Sequence, residues 1–264
     1  NSAWSRKTSS STRWFPARRN RPSASGERVN GQAAVHALIP AAGRSVRFGG
    51  TTLKQYAHLN GVPVIAHSIE AVSAHPAVAS VTVALAEDDG IFDELVRPEF
   101  PAVHTVIGGD SRARTVLNGL QAMLAREAAC DWVLVHDAAR PCLSRAALAR
   151  LVEAGLASEH GAILAVPVSD TLKWAGEDGR IERTIDRSRC WAAQTPQMFR
   201  APVLERLLRD ALEAGEQPTD EAAAMEYAGL RPRLVEGEPS NIKITGSGDL
   251  ALAGFILEQR VVAP

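Results

Sequence analysis

Residues 40–54 read PAAGRSVRFGGTTLK, a glycine-rich stretch that carries Arg47 and Lys54 among Gly43, Gly49 and Gly50. Such a turn lets backbone N–H groups approach phosphate oxygens closely. Two cations on it suit a polyphosphate whose charge must be neutralised in a transition state. Neither common phosphate loop is present. No Gly-Lys-Ser/Thr follows at Walker A spacing, and Ser45 stands where a dinucleotide fingerprint needs its second glycine. Three further segments are equally rich in Gly, Asp, Arg and Lys: 108–115 (GGDSRART), 136–141 (HDAARP) and 241–245 (NIKIT).

The elements that must position these segments follow from periodicity. Residues 35–39, 78–85, 103–107, 132–135 and 162–166 read as strands. They alternate with helical patterns over 62–74, 88–96, 111–127 and 144–156, the last with Ser144 as N-cap. That alternation implies an α/β fold, a mainly parallel sheet with helices on both faces. Ligands of such sheets sit beyond the carboxyl ends of the strands, where the charged segments fall. Residues 169–190 break the rhythm. Two short strands, 171–174 and 180–185, flank Glu177-Asp178-Gly179, a hairpin signal. A hairpin this polar has little to bury by itself, so it is expected to pack against another subunit. Helices near 201–214 and 219–228, strands at 233–235 and 241–245, and a terminal helix from about Ser247 complete the chain.

Composition narrows the classes. The 264 residues hold 29 Lys+Arg and 30 Asp+Glu, a net charge of −1, which argues against a dedicated nucleic-acid binder. That total is an average over unequal parts. Residues 1–32 carry seven basic residues and one acid, leaving a body of net −7. The tail is rich in Ser, Arg and Pro without an apolar core, so it reads as a disordered extension or an organellar transit segment rather than a secretory signal. No apolar run is long enough to span a membrane. Cys130, Cys142 and Cys190 lack C-x-x-C spacing and read as small buried residues in a reducing compartment. His136 reads as a packed residue at a strand end.

Taken together, PAAG-x-x-x-R-x-G-x-x-x-x-K-Q, GGDSRARTV, HDAARP, PVSDTLK, TIDRS, QTPQMF, TDEA and NIKIT, in this order, resemble one family over about residues 35–260. It is the 2-C-methyl-D-erythritol 4-phosphate cytidylyltransferases of the non-mevalonate isoprenoid pathway. The resemblance implies a Rossmann-like nucleotidyltransferase fold over residues 33–264, with 169–190 as a protruding β-arm for homodimerisation. It implies cytidylyl transfer from CTP to the sugar-alcohol phosphate, with release of pyrophosphate. Arg47 and Lys54 would stabilise the transition state, and Arg187 and Lys243 would position the substrate phosphate. Ala41, Ala42, Gly43, Ser45, Gly109, Asp110, Thr115 and Ala138 would line the nucleotide site; Asp137, Arg140, Thr171 and Thr219 would bind the acceptor. Thr171 and Arg187 would serve the neighbouring subunit's site. Mg²⁺ is expected, held largely by phosphates, with Asp137 the candidate side-chain ligand.

Two departures stand out. Ser45 replaces a second glycine of many members, and Leu53 replaces a proline that often precedes the lysine. Both leave every charged group in place, so activity is expected. Two alternatives compete: a ribitol-5-phosphate cytidylyltransferase of the same fold, and a non-catalytic nucleotide- or RNA-binding protein that docks through its basic tail. A cytoplasmic setting is expected, or an organellar stroma should residues 1–32 act as a transit segment.

Overall fold

Val35–Pro40 (β1) is apolar on both sides because both its faces are covered: Val35, Ala37 and Ile39 enter one core cluster, and Leu38 enters another. The computed structural model describes residues 14–15, 33–43, 53–127 and 130–262. After β1 come a 3-10 turn at Lys54–Tyr56, the short pair His58–Leu59 (β2) and Val62–Pro63 (β3), and the helix Val64–Val72 (α1). Val78–Leu85 (β4), His104–Ile107 (β5), Arg112–Arg126 (α2), Trp132–Val135 (β6), Arg145–Leu156 (α3) and Ala162–Pro167 (β7) continue the alternation. Leu172–Ala175 (β8) and Ile181–Ile185 (β9) form the hairpin. Trp191–Arg200 (β10), Ala201–Glu213 (α4), Glu221–Tyr227 (α5), Arg233–Glu236 (β11) and Ser247–Val262 (α6) follow.

The central sheet has seven strands in the order β11-β7-β10-β6-β1-β4-β5. Every strand is parallel to the rest except β10, which runs antiparallel between β6 and β7. Strand alternation sorts the core. Trp132 and Leu134 of β6 face the layer of α1 and α3, while Val133 and Val135 face α2, α4 and α5. A third cluster joins Leu59, Val64, Cys142, Ile244 and Ala253 under α6. From β1 the chain moves outward to β4 and β5, then returns to β1's other side as β6. That reversal opens a crevice at the carboxyl ends of β1 and β6, the usual ligand position in such sheets.

Three expectations change. β10 is absent from the sequence periodicity, because Gln194, Thr195, Pro196 and Gln197 interrupt it with polar groups and a missing N–H. The strand slips its register against β7 between Ala193 and Gln197 at this point. Residues 241–245, expected as a strand, form a loop: the Ile244 amide donates to the Ala139 carbonyl (2.8 Å), and Asp249 accepts from Thr245 and Gly246. The helix expected over 88–96 contracts to a π-helical turn at Phe92–Val96.

β8 and β9 stand apart as their own two-stranded sheet, with Trp174 (54% exposed) and Ile181 (65%) on its surface. Of the N-terminal extension, Trp14 and Phe15 pack against the α1 side of the core, with the Phe15 ring edge-on to His67 at 5.6 Å between centroids. The rest of residues 1–32 lies outside the described residues. Cys130 and Cys142 are buried, Cys190 is partly so, and all three are free thiols.

Candidate active site

The loops that leave β1, β4, β5 and β6 enclose a cleft of about 920 Å³, closed on one side by Lys243 from the loop before α6. Each wall has a local cause. The Ala41 amide continues the β1 ladder to the Ala84 carbonyl (2.7 Å), which holds Ala41, Ala42 and Gly43 along the floor. Buried Gln55 donates to the Ala41 carbonyl (3.1 Å), so the chain re-enters the cleft beside that strand end and brings Lys54 with it. Arg47 and Ser45 lie outside the described residues. Gly108 permits a close approach: a Cβ there would sit 2.6 Å from the Ala42 Cβ, so only glycine lets the loops after β1 and β5 meet. Gly109, Asp110, Thr115 and Ala138 also line the cleft.

Thr115 serves its turn first. Its hydroxyl lies 2.8 Å from the Ser111 carbonyl and accepts from the Gly109 amide at 3.0 Å. It therefore shapes the Gly108–Ser111 turn that faces the cleft. Asn118 adds to this by donating to the Gly108 carbonyl (2.9 Å).

The electrostatic centre is Asp137, just past the end of β6. Arg112, the first residue of α2, donates to its Oδ1 through Nε (3.2 Å) and Nη2 (3.0 Å). Lys243 Nζ holds Oδ2 at 2.7 Å, and Arg140 Nε lies 3.9 Å from the same oxygen. Burial would push the Asp137 carboxyl up, but Arg112, then Lys243 and Arg140, hold it well below the usual carboxylate range. On its other edge Arg112 forks onto Glu221, Nη1 to Oε1 at 2.7 Å and Nη2 to Oε2 at 3.2 Å. The Glu221 side chain is 1% exposed, and burial raises its pKa despite the opposing Arg112 charge. Arg140 does not line the cleft. It donates through Nη1 to the Asn241 carbonyl (2.7 Å) and so braces the loop that carries Lys243.

His136 behaves as expected of a packed residue. Thr195 Oγ1 accepts from the Asp137 amide (2.9 Å), which directs its own proton to His136 Nδ1 (3.1 Å). The ring's Nε2 then donates to the Arg140 carbonyl (3.0 Å), the neutral tautomer. Burial lowers its pKa to about 4.

Thr171 and Arg187, at the two ends of the hairpin, are exposed and do not line this chain's cleft; neither does Thr219, which precedes α5. Arg112 and Glu221 sit inside the recognisable motifs GGDSRARTV and TDEA, yet nothing in the sequence signals that they pair across 109 positions.

Known proteins resemble this chain over most of its length. Residues 35–259 match the family model of 2-C-methyl-D-erythritol 4-phosphate cytidylyltransferase. A protein of that name from Xanthomonas campestris pv. campestris is 50% identical over 232 residues, covering 86% of either chain. One from Stenotrophomonas maltophilia is 49% identical, covering 86% of this chain and 98% of that protein. Among solved structures, a 4-diphosphocytidyl-2C-methyl-D-erythritol synthase superposes with a TM-score of 0.75 at 41% identity, covering 86% of this chain and 99% of the other. A cytidylyltransferase from Thermus thermophilus gives 0.70 at 31% identity, with 84% and 98% covered.

Proposed function

Since this chain belongs to the 2-C-methyl-D-erythritol 4-phosphate cytidylyltransferase family, we propose that the cleft at the ends of β1 and β6 holds both reactants side by side. The enzyme transfers a cytidylyl group from CTP to 2-C-methyl-D-erythritol 4-phosphate and releases pyrophosphate. A phosphate oxygen of the acceptor forms a new bond to the α-phosphorus while the bond to the β-phosphate's bridging oxygen breaks. The electron pair leaves with pyrophosphate.

The physical obstacle is repulsion. Each pair of like charges at contact costs about 4 kcal/mol at 4 Å and an effective dielectric of 20. An acceptor phosphate is already ionised near neutral pH and needs no base, so cations and alignment are what the protein must supply. The observation that carries the assignment is the convergence of Lys54 and Lys243 on one cleft from opposite ends of the chain. Lys54, with Arg47, meets charge growing at the α-phosphate and leaving group; Lys243 bridges acceptor and nucleotide phosphates. The Gly108–Asp110 turn reads the cytosine edge through backbone groups, and Asp137 accepts from acceptor hydroxyls.

Mg²⁺ enters with CTP, as part of the substrate. Asp137 does not suit a resident metal, because both its oxygens already face cations, Arg112 on one and Lys243 on the other. Thr171 and Arg187 complete a partner's site in a homodimer joined through the β8–β9 arm. Their exposure supports this, as do the exposed Trp174 and Ile181 on an otherwise polar arm. Thr219 adds a hydroxyl contact to the acceptor. The bacterial relatives support a cytoplasmic setting; no described helix is long and apolar enough to cross a membrane.

Pyrophosphate release from purified protein with CTP, Mg²⁺ and 2-C-methyl-D-erythritol 4-phosphate tests the reading. Release is expected with this acceptor and should be slow with ribitol 5-phosphate. A preference for the ribitol ester would overturn the acceptor assignment, and no release with either would overturn the activity.

A further inference from the structure

Asp137 uses its two oxygens differently. Oδ1 meets Arg112, whose other edge is forked onto a carboxylate with almost no solvent exposure. Oδ2 meets Lys243, whose side chain is 39% exposed and borders the open cleft. Arg112 (27% exposed) borders the cleft as well, but it is tied behind to the buried Glu221, and that tie is what separates the two contacts.

The Arg112–Glu221 pair is built in from two elements. Ser111 caps α2 by accepting from the Arg114 amide, which fixes Arg112 at the first helical position. Gln197 of β10 docks α5, donating to Asp220 (2.8 Å) and accepting from the Ala222 amide (2.9 Å), and Glu221 lies between those two residues. Burying a charge this deeply is expensive, and a buried ion pair seldom repays its desolvation in stability alone. What such a pair can supply instead is orientation.

We propose that Arg112 and Glu221 form a positioning pair that anchors Asp137 by Oδ1, so that Lys243 can leave Oδ2 for the incoming phosphates and free that oxygen to accept an acceptor hydroxyl. The inference rests on the reading of Asp137 and Lys243 as acceptor-side groups. Neither Arg112 nor Glu221 touches substrate in this scheme. Lys243 alone exchanges partners. Without the anchor, Asp137 would follow Lys243 or swing, and the acceptor would lose its alignment while the CTP side stayed intact.

The test uses the full-length enzyme with initial rates measured against each substrate in turn. The wild type is assayed first, because its failure with CTP and 2-C-methyl-D-erythritol 4-phosphate would overturn the function and not this pairing. Glu221→Gln keeps the shape and removes the charge. It should raise KM for the acceptor roughly tenfold, the scale of one charge-assisted hydrogen bond, and change KM for CTP less than about twofold. Combined with Asp137→Asn, it should add almost nothing, because it acts through Asp137. Equal rises in both KM values, or a full additional loss in the Asp137→Asn background, would overturn the proposal. Should Glu221→Gln not melt cooperatively, Arg112→Lys, which keeps the buried charge but loses the fork, carries the same comparison. If neither variant folds, the pair is structural and the proposal falls.

Discussion

His136 and Asp137 are neighbours with opposite proton behaviour, and the contrast can be measured. The His136 ring is wholly buried, and its pKa falls from 6.5 to about 4. The unfolded chain therefore binds a proton that the native state refuses between those values, and stability drops as pH falls from about 6.5 toward 4, by up to about 3 kcal/mol. Asp137 is depressed below the ordinary carboxylate value, so its contribution holds above about 4 and is lost only at more acid pH. Urea unfolding at pH 7 and pH 4.5 should give a smaller difference for His136→Gln than for wild type; equal differences would mean that the ring does not set this slope. Lys54 answers to a different measurement. If it meets charge that grows only in the transition state, Lys54→Ala should cut kcat by on the order of a hundredfold or more and shift KM for CTP little. A change confined to KM would mean that Lys54 binds the ground state instead. Residue types were easy to read in the sequence: a glycine-rich turn bearing a lysine announces phosphate chemistry. Partners were not, because Arg112, Asp137, Glu221 and Lys243 meet only after β6, α2, α5 and the 241–245 loop have been packed together.

At the scale of elements, buried strands such as β4 and helices with one apolar face such as α2 and α3 were legible within a residue or two. What escaped was decided by tertiary partners. β10 is polar where it turns toward the site, since Gln194, Thr195 and Gln197 bond to the 238–241 loop, to His136 and Asp137, and to α5. The 241–245 run has strand composition but spends its backbone on Ala139 and the start of α6. Packing between elements also sets how far α2 can shift, and Gly119 is the gauge. An alanine there would gain helix propensity of about 1 kcal/mol. Its Cβ would lie 2.5 Å from Leu38 Cδ1 on β1, a fully buried side chain with nowhere to retreat. Overpacking of this kind costs roughly 1–3 kcal/mol, so the overlap outweighs the propensity. Gly119→Ala should lower the denaturation midpoint. An unchanged or higher midpoint would show that β1 and α2 can separate freely, and with them the two sides of the cleft floor.

At the scale of the molecule, net charge says little and placement says much: a near-neutral chain gathers Lys54, Arg112, Arg140 and Lys243 around one acid-bearing cleft. Two further expected cations are not among these. Arg47 lies outside the described residues, and Arg187, at the end of the arm, is exposed and does not line its own cleft. An isolated two-stranded hairpin is marginal in water. This one exposes Trp174 and Ile181, and a second copy of the chain would cover both under the proposed dimer. Each site would then combine Lys54 from one protomer with Arg187 from its partner. Arg187→Ala alone should mainly raise KM for the acceptor, and Lys54→Ala alone should nearly abolish turnover. When the two impaired variants are mixed and allowed to exchange subunits, half the dimers are mixed. In each of these, one site carries both lesions and the other carries none, so at low acceptor concentration about a quarter of wild-type activity should return. Sites confined to single protomers would give no such recovery, since every chain would carry its own lesion into its own cleft. Complementation therefore decides between a shared and a private site in a single titration of one variant against the other.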